Sequence, residues 1–155
     1  MKKTFFNLCV VVGLILSTSC NKDDDGSDNN GASNELTVTI EGQAVTFDTV
    51  IVERDTFIFD GEQFTILNVT ATVGTDASRT INFETEVGDL GTFSLYAFEY
   101  LINGEYFYDS GAFNSVVSVN NGSRLTATFT GTLTAFTAEG EESIMLENGI
   151  IDVNY

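Results

Sequence analysis

Hydrophobic and polar positions alternate with a period of two along most of this chain. The clearest run is 125–135. Leu125, Ala127, Phe129, Gly131, Leu133 and Ala135 fall on one face, and Thr126, Thr128, Thr130, Thr132 and Thr134 fall on the other. Such alternation predicts a long strand with one buried face and one wet face. Leu36, Val38 and Ile40 alternate with Thr37 and Thr39 in the same way. Turn-forming residues separate the runs: Glu41-Gly42, Asp60-Gly61, Gly74 to Ser78, Gly88 to Gly91, Asn103-Gly104, Asn120-Asn121-Gly122 and Glu139-Gly140. Asn-Gly and Asp-Gly supply the positive φ that tight hairpin turns demand. Strands are therefore expected at 36–40, 44–53, 56–60, 63–73, 79–86, 92–102, 106–109, 112–119, 124–137 and 143–154. No amphipathic helical stretch interrupts them. Short connections favour antiparallel neighbours. The expected fold class is all-β: a single antiparallel β-sandwich or flattened β-barrel of roughly eight to ten strands.

One region departs from clean alternation. Phe93, Leu95 and Ala97 share one face of a strand, and Tyr96, Phe98 and Tyr100 share the other; Tyr106, Phe107 and Tyr108 follow. Both faces are partly apolar, so the hairpin is either packed on both sides or exposes aromatic rings. Exposed rings on a β scaffold can grip sugars and other flat apolar ligands. Tyr96, Tyr100, Tyr106 and Tyr108 are the candidate ligand contacts; packing against a neighbouring edge is the simpler alternative.

The first residues follow a different pattern. Lys2 and Lys3 precede an apolar run from Phe5 to Leu16, then Ser17, Thr18, Ser19 and Cys20. A charged start, a short apolar stretch and small residues form a secretory signal. About twelve helical residues span roughly 18 Å, short of a hydrocarbon core of ~30 Å. The end of the stretch resembles a lipobox, with Ser17 where Leu is usual. The resemblance implies that Cys20 receives diacylglycerol and becomes the new, acylated N-terminus. The expected organisation is a lipoprotein signal peptide at 1–19, lipidated Cys20 with an acidic tether at 20–34, and an all-β domain at 35–155. The tether holds almost no apolar residue, and its root-mean-square reach is roughly 20 Å. Lys22, Asp23, Asp24 and Asp25 resemble the Bacteroidota lipoprotein export signal. That resemblance implies the lipoprotein export machinery as a partner and the outer face of the outer membrane as the destination. The Asp-rich run does not fit a calcium loop: with Gly31 at the sixth position, Gly26 falls where Asp is required.

Composition narrows the chemistry. The chain has 23 acids, six Lys and Arg, and no His. The expected mature chain keeps only Lys22, Arg54, Arg79 and Arg124 as cations. So acidic a domain is unsuited to nucleic acid, whose phosphates require basic patches. Without His, Ser-His-Asp triads and His-based zinc sites are excluded. Cys9 leaves with the signal, so no disulfide is expected within the domain. No Lys follows Lys22, which removes Schiff-base chemistry from the domain. No metal or cofactor is expected. Carboxylates remain as acid–base candidates, by type alone: Glu84, Glu86, Asp89, Glu99, Glu105 and Asp109.

Gly42-Gln43-Ala44-Val45-Thr46-Phe47, Gly91-Thr92-Phe93-Ser94-Leu95, the strand from Leu125 to Leu133, and Glu147 to Tyr155 form a set of short β motifs. Together they resemble a family of uncharacterised Bacteroidota lipoprotein domains. Leu133 and Ile150 stand where that family usually has aromatics. It implies no activity and no catalytic residues. Asp48-Thr49-Val50 resembles the Bacteroidota O-glycosylation acceptor, which makes Thr49 a modification candidate. The expected function is a non-enzymatic, lipid-anchored envelope module, monomeric, that binds a glycan, small ligand or partner protein. The alternatives are a structural spacer and a carboxylate-based hydrolase.

Overall fold

The computed structural model describes residues 34–138 and 140–155. The signal segment, Cys20 and Lys22 to Asp25 lie outside them. The strands are β1 (Glu35–Ile40), β2 (Gln43–Phe47), β3 (Thr49–Phe59), β4 (Glu62–Val73), β5 (Asp76–Glu86), β6 (Gly91–Thr92), β7 (Tyr96–Ile102), β8 (Glu105–Asn120), β9 (Arg124–Thr137) and β10 (Gly140–Asn154). They form one antiparallel sheet in the order β2-β1-β10-β9-β8-β7-β5-β4-β3, with β6 pairing β8 off this path. The sheet curls into a half-barrel, so one face becomes the interior.

The alternation read at 125–135 explains why. Leu125, Ala127, Phe129, Leu133 and Ala135 are all buried. Leu36, Leu67, Val69, Ile81, Phe83 and Ile151 add to the same interior from β1, β4, β5 and β10. At its centre the Phe98 ring lies 4.3 Å from Phe113, 5.0 Å from Phe129 and 5.9 Å from Phe83, centroid to centroid. Each such side chain contributes about 1.5–3 kcal/mol on burial. Phe47 on β2 meets Tyr100 on β7 edge-on at 6.2 Å. That contact crosses the interior from an outer strand to a central one, which only a curled sheet permits. The threonine face is mostly wet, but Thr134 is buried, sharing hydrogen bonds with Ser110 (3.1 Å) and Ser143 (3.4 Å).

Four segments differ from the expected strands. The gap expected between 53 and 56 is absent, and β3 runs unbroken through Arg54 and Asp55. The run 44–53 breaks at Asp48, where the chain leaves one edge of the sheet and continues in the same direction at the other. The Asp48 carboxylate accepts a hydrogen bond from the Gly74 N–H at 2.6 Å, which holds this crossover against the β4–β5 turn. The expected strands 106–109 and 112–119 are one strand with a bulge. Asp109 faces Leu133 and Ala112 faces Thr132, so Ser110 and Gly111 are the insertion. Asp109 Oδ1 accepts the N–H groups of Gly111 (2.7 Å) and Phe113 (3.2 Å) across it. Finally, 92–102 divides into β6 and β7.

The β3–β4 hairpin outruns the rest of the sheet. β5 stops at Glu86, opposite Ile66, so β4 before Ile66 has only β3 as a ladder partner. Arg54, halfway along β3, donates hydrogen bonds to the main-chain oxygens of Gly122 (2.6 Å) and Tyr155 (3.0 Å). Those residues mark the end of the barrel, and the chain entering at Asn34 is there too: its side-chain oxygen accepts the Asn154 N–H at 2.7 Å.

Candidate functional site

The site arises where β7 parts from β8. The two pair from Ile102 opposite Glu105 to Glu99 opposite Tyr108. β6 then takes over, with Thr92 opposite Val116. Between these ladders the chain arches away from β8 and leaves a groove of about 540 Å³. Its lining includes Phe93, Tyr96, Glu99, Tyr108 and Asp109, with Leu95, Phe98 and Phe113 beneath.

Two apolar residues of this arch hold positive φ: Phe93 at 63° and Ala97 at 49°. Asn and Asp adopt that conformation readily, whereas Phe and Ala do so at a cost of roughly 1–2 kcal/mol each. Backbone strain of this kind concentrates at functional sites. Here it has a visible consequence. The register between β5 and β7 slips at Ala97, with Asn82 opposite Glu99 but Glu84 opposite Tyr96. An extra residue turns the following side chains to the other face.

That slip corrects one candidate. Tyr100 is wholly buried; its ring packs on Phe47 and its hydroxyl accepts a hydrogen bond from Arg79 Nε at 3.2 Å. It is a core residue, not a ligand contact. Tyr96 and Tyr108 do meet in the groove. Tyr106 lies beside it, exposed and stacked on Tyr108 with centroids 6.1 Å apart. Phe93 was not singled out from sequence, yet it is 73% exposed at the rim. Only its place in a Gly-Thr-Phe turn could have signalled this.

The polar groups are asymmetric. A neighbouring depression of about 230 Å³ shares Ala97 and Glu99 with the groove and adds Asn68, Asn82 and Glu84. Asn82 Nδ2 donates to Glu99 Oε1 at 2.9 Å, fixing that carboxylate. Asp109 is fixed by the bulge it caps. Burial, reinforced by the charges of Glu86, Asp89 and Glu84, pushes the Tyr96 phenol up to about 12. Like any tyrosine it is protonated at neutral pH, and the raised value extends that state to more alkaline conditions. Of the other carboxylates, Glu105 sits at the β7–β8 turn, away from the groove. The groove thus sets carboxylates directly beside rings: Glu99 stands opposite Tyr108, and Asp109 follows it in the chain.

A second groove of about 500 Å³ crosses β8, β9 and β10, lined by Asn114, Val116, Thr128, Thr130 and Ile150 among others. It presents hydroxyls and aliphatic groups rather than exposed rings. Among the described residues no group of three or more His, Cys, Asp or Glu is placed to hold a metal ion. Thr49 opens β3 and is exposed. No protein-family model, no curated protein and no solved structure matches the chain.

Proposed function

We propose that this is a lipid-anchored envelope module that binds a neutral oligosaccharide or a similar flat, hydroxylated ligand without transforming it. The observation that carries the reading is the groove where Phe93, Tyr96 and Tyr108 converge beside fixed Glu99 and Asp109. Sugar rings present apolar C–H faces and polar rims. Aromatic rings fit the first, and carboxylates and amides accept or donate to the second. Lipid on Cys20, after signal cleavage, anchors the module, and Lys22 to Asp25 direct it to the outer face of the outer membrane.

The test is titration of the full chain with a panel of neutral oligosaccharides, by calorimetry. Tyr96→Ala and Tyr108→Ala should each weaken the best binder by about tenfold or more, since one stacked ring contributes on the order of 1–3 kcal/mol. Tyr106→Ala should matter less. Equal affinity in all three variants would remove the groove from consideration.

A further inference from the structure

The β3–β4 tip has no role in the groove, yet it carries the most exposed apolar cluster beyond it. Ile58 is 75% exposed, Phe59 71% and Phe57 48%, with Phe64 stacked on Phe57 at 5.6 Å. These residues lie beyond Arg54, on a two-stranded ribbon with no third strand beside its outer half. A natural sheet protein blunts such a projection with charge or cover; an apolar one marks a contact surface.

The chain itself says what lies opposite. Arg54 reaches the main-chain oxygens of Gly122 and Tyr155, and Asn34 is bonded to Asn154 beside them. The ribbon therefore projects from the same end at which the segment from Cys20 enters the domain. Only residues 21–33 separate Cys20 from Asn34. A chain of that length spans roughly 20 Å root-mean-square. Five further strand residues beyond Arg54 reach about 16 Å. A lipid surface holding Cys20 and the ribbon tip are thus within range of one another.

We propose that Phe57, Ile58 and Phe59 enter the headgroup region of the lipid surface that holds Cys20, giving the domain a second membrane contact and a fixed orientation. This rests on the anchor at Cys20 proposed above. Apolar side chains such as Phe bury shallowly at the boundary between headgroups and acyl chains. Asp60 and Glu62 at the turn keep the entry shallow and oppose attraction to an anionic surface. The opposite end of the barrel, with Phe136 on β9, then faces away from the lipid.

The chain contains no tryptophan, so a single one reports its own surroundings. The full-length protein carrying Phe59→Trp, purified from its membrane, is reconstituted into zwitterionic phosphatidylethanolamine–phosphatidylcholine vesicles, with Phe136→Trp as the second variant. Flotation first tells whether the protein is anchored. In floated samples the Phe59→Trp emission should shift to the blue and lose at least half its intensity to brominated phosphatidylcholine. Phe136→Trp should remain unquenched. Adding phosphatidylglycerol should not increase the quenching. Protein that fails to float refutes the anchor itself. Protein that floats with an unquenched Phe59→Trp, or with both tryptophans quenched alike, overturns the tip contact alone. A blue shift that depends on protein concentration without lipid would assign the tip to a second copy and equally overturn it.

Discussion

The guanidinium carbon of Arg54 lies 4.7 Å from the centroid of the Tyr155 ring, and the same side chain donates to that residue's main-chain oxygen. Arg54 belongs to one edge strand and Tyr155 follows β10, near the other edge. Tyr155 is itself held: its hydroxyl donates to Asn120 Oδ1 at 2.8 Å and accepts the Gly122 N–H at 3.1 Å. Asn120 in turn donates to the main-chain oxygen of Glu86 at 2.7 Å. One polar chain therefore ties β3, the β8–β9 turn, the end of β5 and the last residue together where the curled sheet has no ladder.

Arg54→Ala should loosen this closure. The arginine is exposed, so each hydrogen bond counts for about 0.5–1.5 kcal/mol and the ring contact for about 0.5–1 kcal/mol. The expected loss is about 1.5–4 kcal/mol in urea unfolding. Arg54→Lys should recover little, because an ammonium cannot both stack and fork. A lysine variant as stable as the parent would mean that charge alone matters here.

Among the described residues, one buried side-chain hydroxyl has no hydrogen-bond partner. It is the Oγ of Ser115, which is buried on the core face of β8. An orphaned buried hydroxyl costs roughly 1–3 kcal/mol, and replacing it with a methyl-sized group removes that cost. Ser115→Ala should raise the thermal midpoint by several degrees. A lower midpoint would imply that the hydroxyl is bonded after all.

Much of the fold was legible because it is local. The threonine alternation at 125–135 and the Asn-Gly and Asp-Gly turns carry their own physics, and the strands appear where they point. Two of the exceptions share one cause. One inserted residue at Ala97 reverses the faces and two at Ser110-Gly111 reset the ladder, and nothing in the neighbouring residue types announces either. Tyr96 and Tyr100, which strict alternation puts on one face as candidate ligand contacts, therefore part, and Tyr100 sits in the core. Asp48 carries no glycine or proline to mark the jump between sheet edges. Tyr96 and Tyr108 were readable as aromatic candidates; that Phe93 joins them depends on β6 and β7 meeting different halves of β8, which is a non-local fact.

The alkaline limit of stability should depend on Tyr96. Its folded pKa is raised to about 12, first by burial and then by Glu86, Asp89 and Glu84. An unfolded tyrosine titrates near 10. The folded state therefore holds this proton more tightly. Its contribution is fully present below about pH 10 and is lost as pH rises through about 12. Two pKa units would correspond to about 2.7 kcal/mol, but the phenol is partly exposed and screening reduces this to roughly 1 kcal/mol. Tyr155 is raised as well, chiefly by burial, so it adds to the same decline. Tyr96→Phe should flatten the fall in urea midpoint between pH 9.5 and 11.5, and a profile unchanged by the substitution would place the decline elsewhere.

Two glycines on neighbouring strands should respond differently to the same substitution. Gly131 has φ of 150°, and a Cβ there would lie 2.4 Å from the Ala112 carbonyl oxygen and 2.6 Å from Phe113 Cα. Both are backbone atoms, held close by the bulge at Ser110-Gly111, and no side-chain movement can relieve the contact. Gly131→Ala should cost about 3 kcal/mol or more, in the range of severe core defects. At Gly149 the added Cβ would instead meet the Phe129 ring at 2.5 Å. That ring packs on Phe98 and Phe113, so it can move only by disturbing them. Gly149→Ala alone should also destabilise, but Phe129→Leu in the same chain vacates the space. Urea unfolding of the two single variants and the double should then give a favourable coupling of about 1–3 kcal/mol. Strict additivity would show that β10 yields where its register against β9 shifts, between Leu146 and Gly149, and that the ring was never the obstacle.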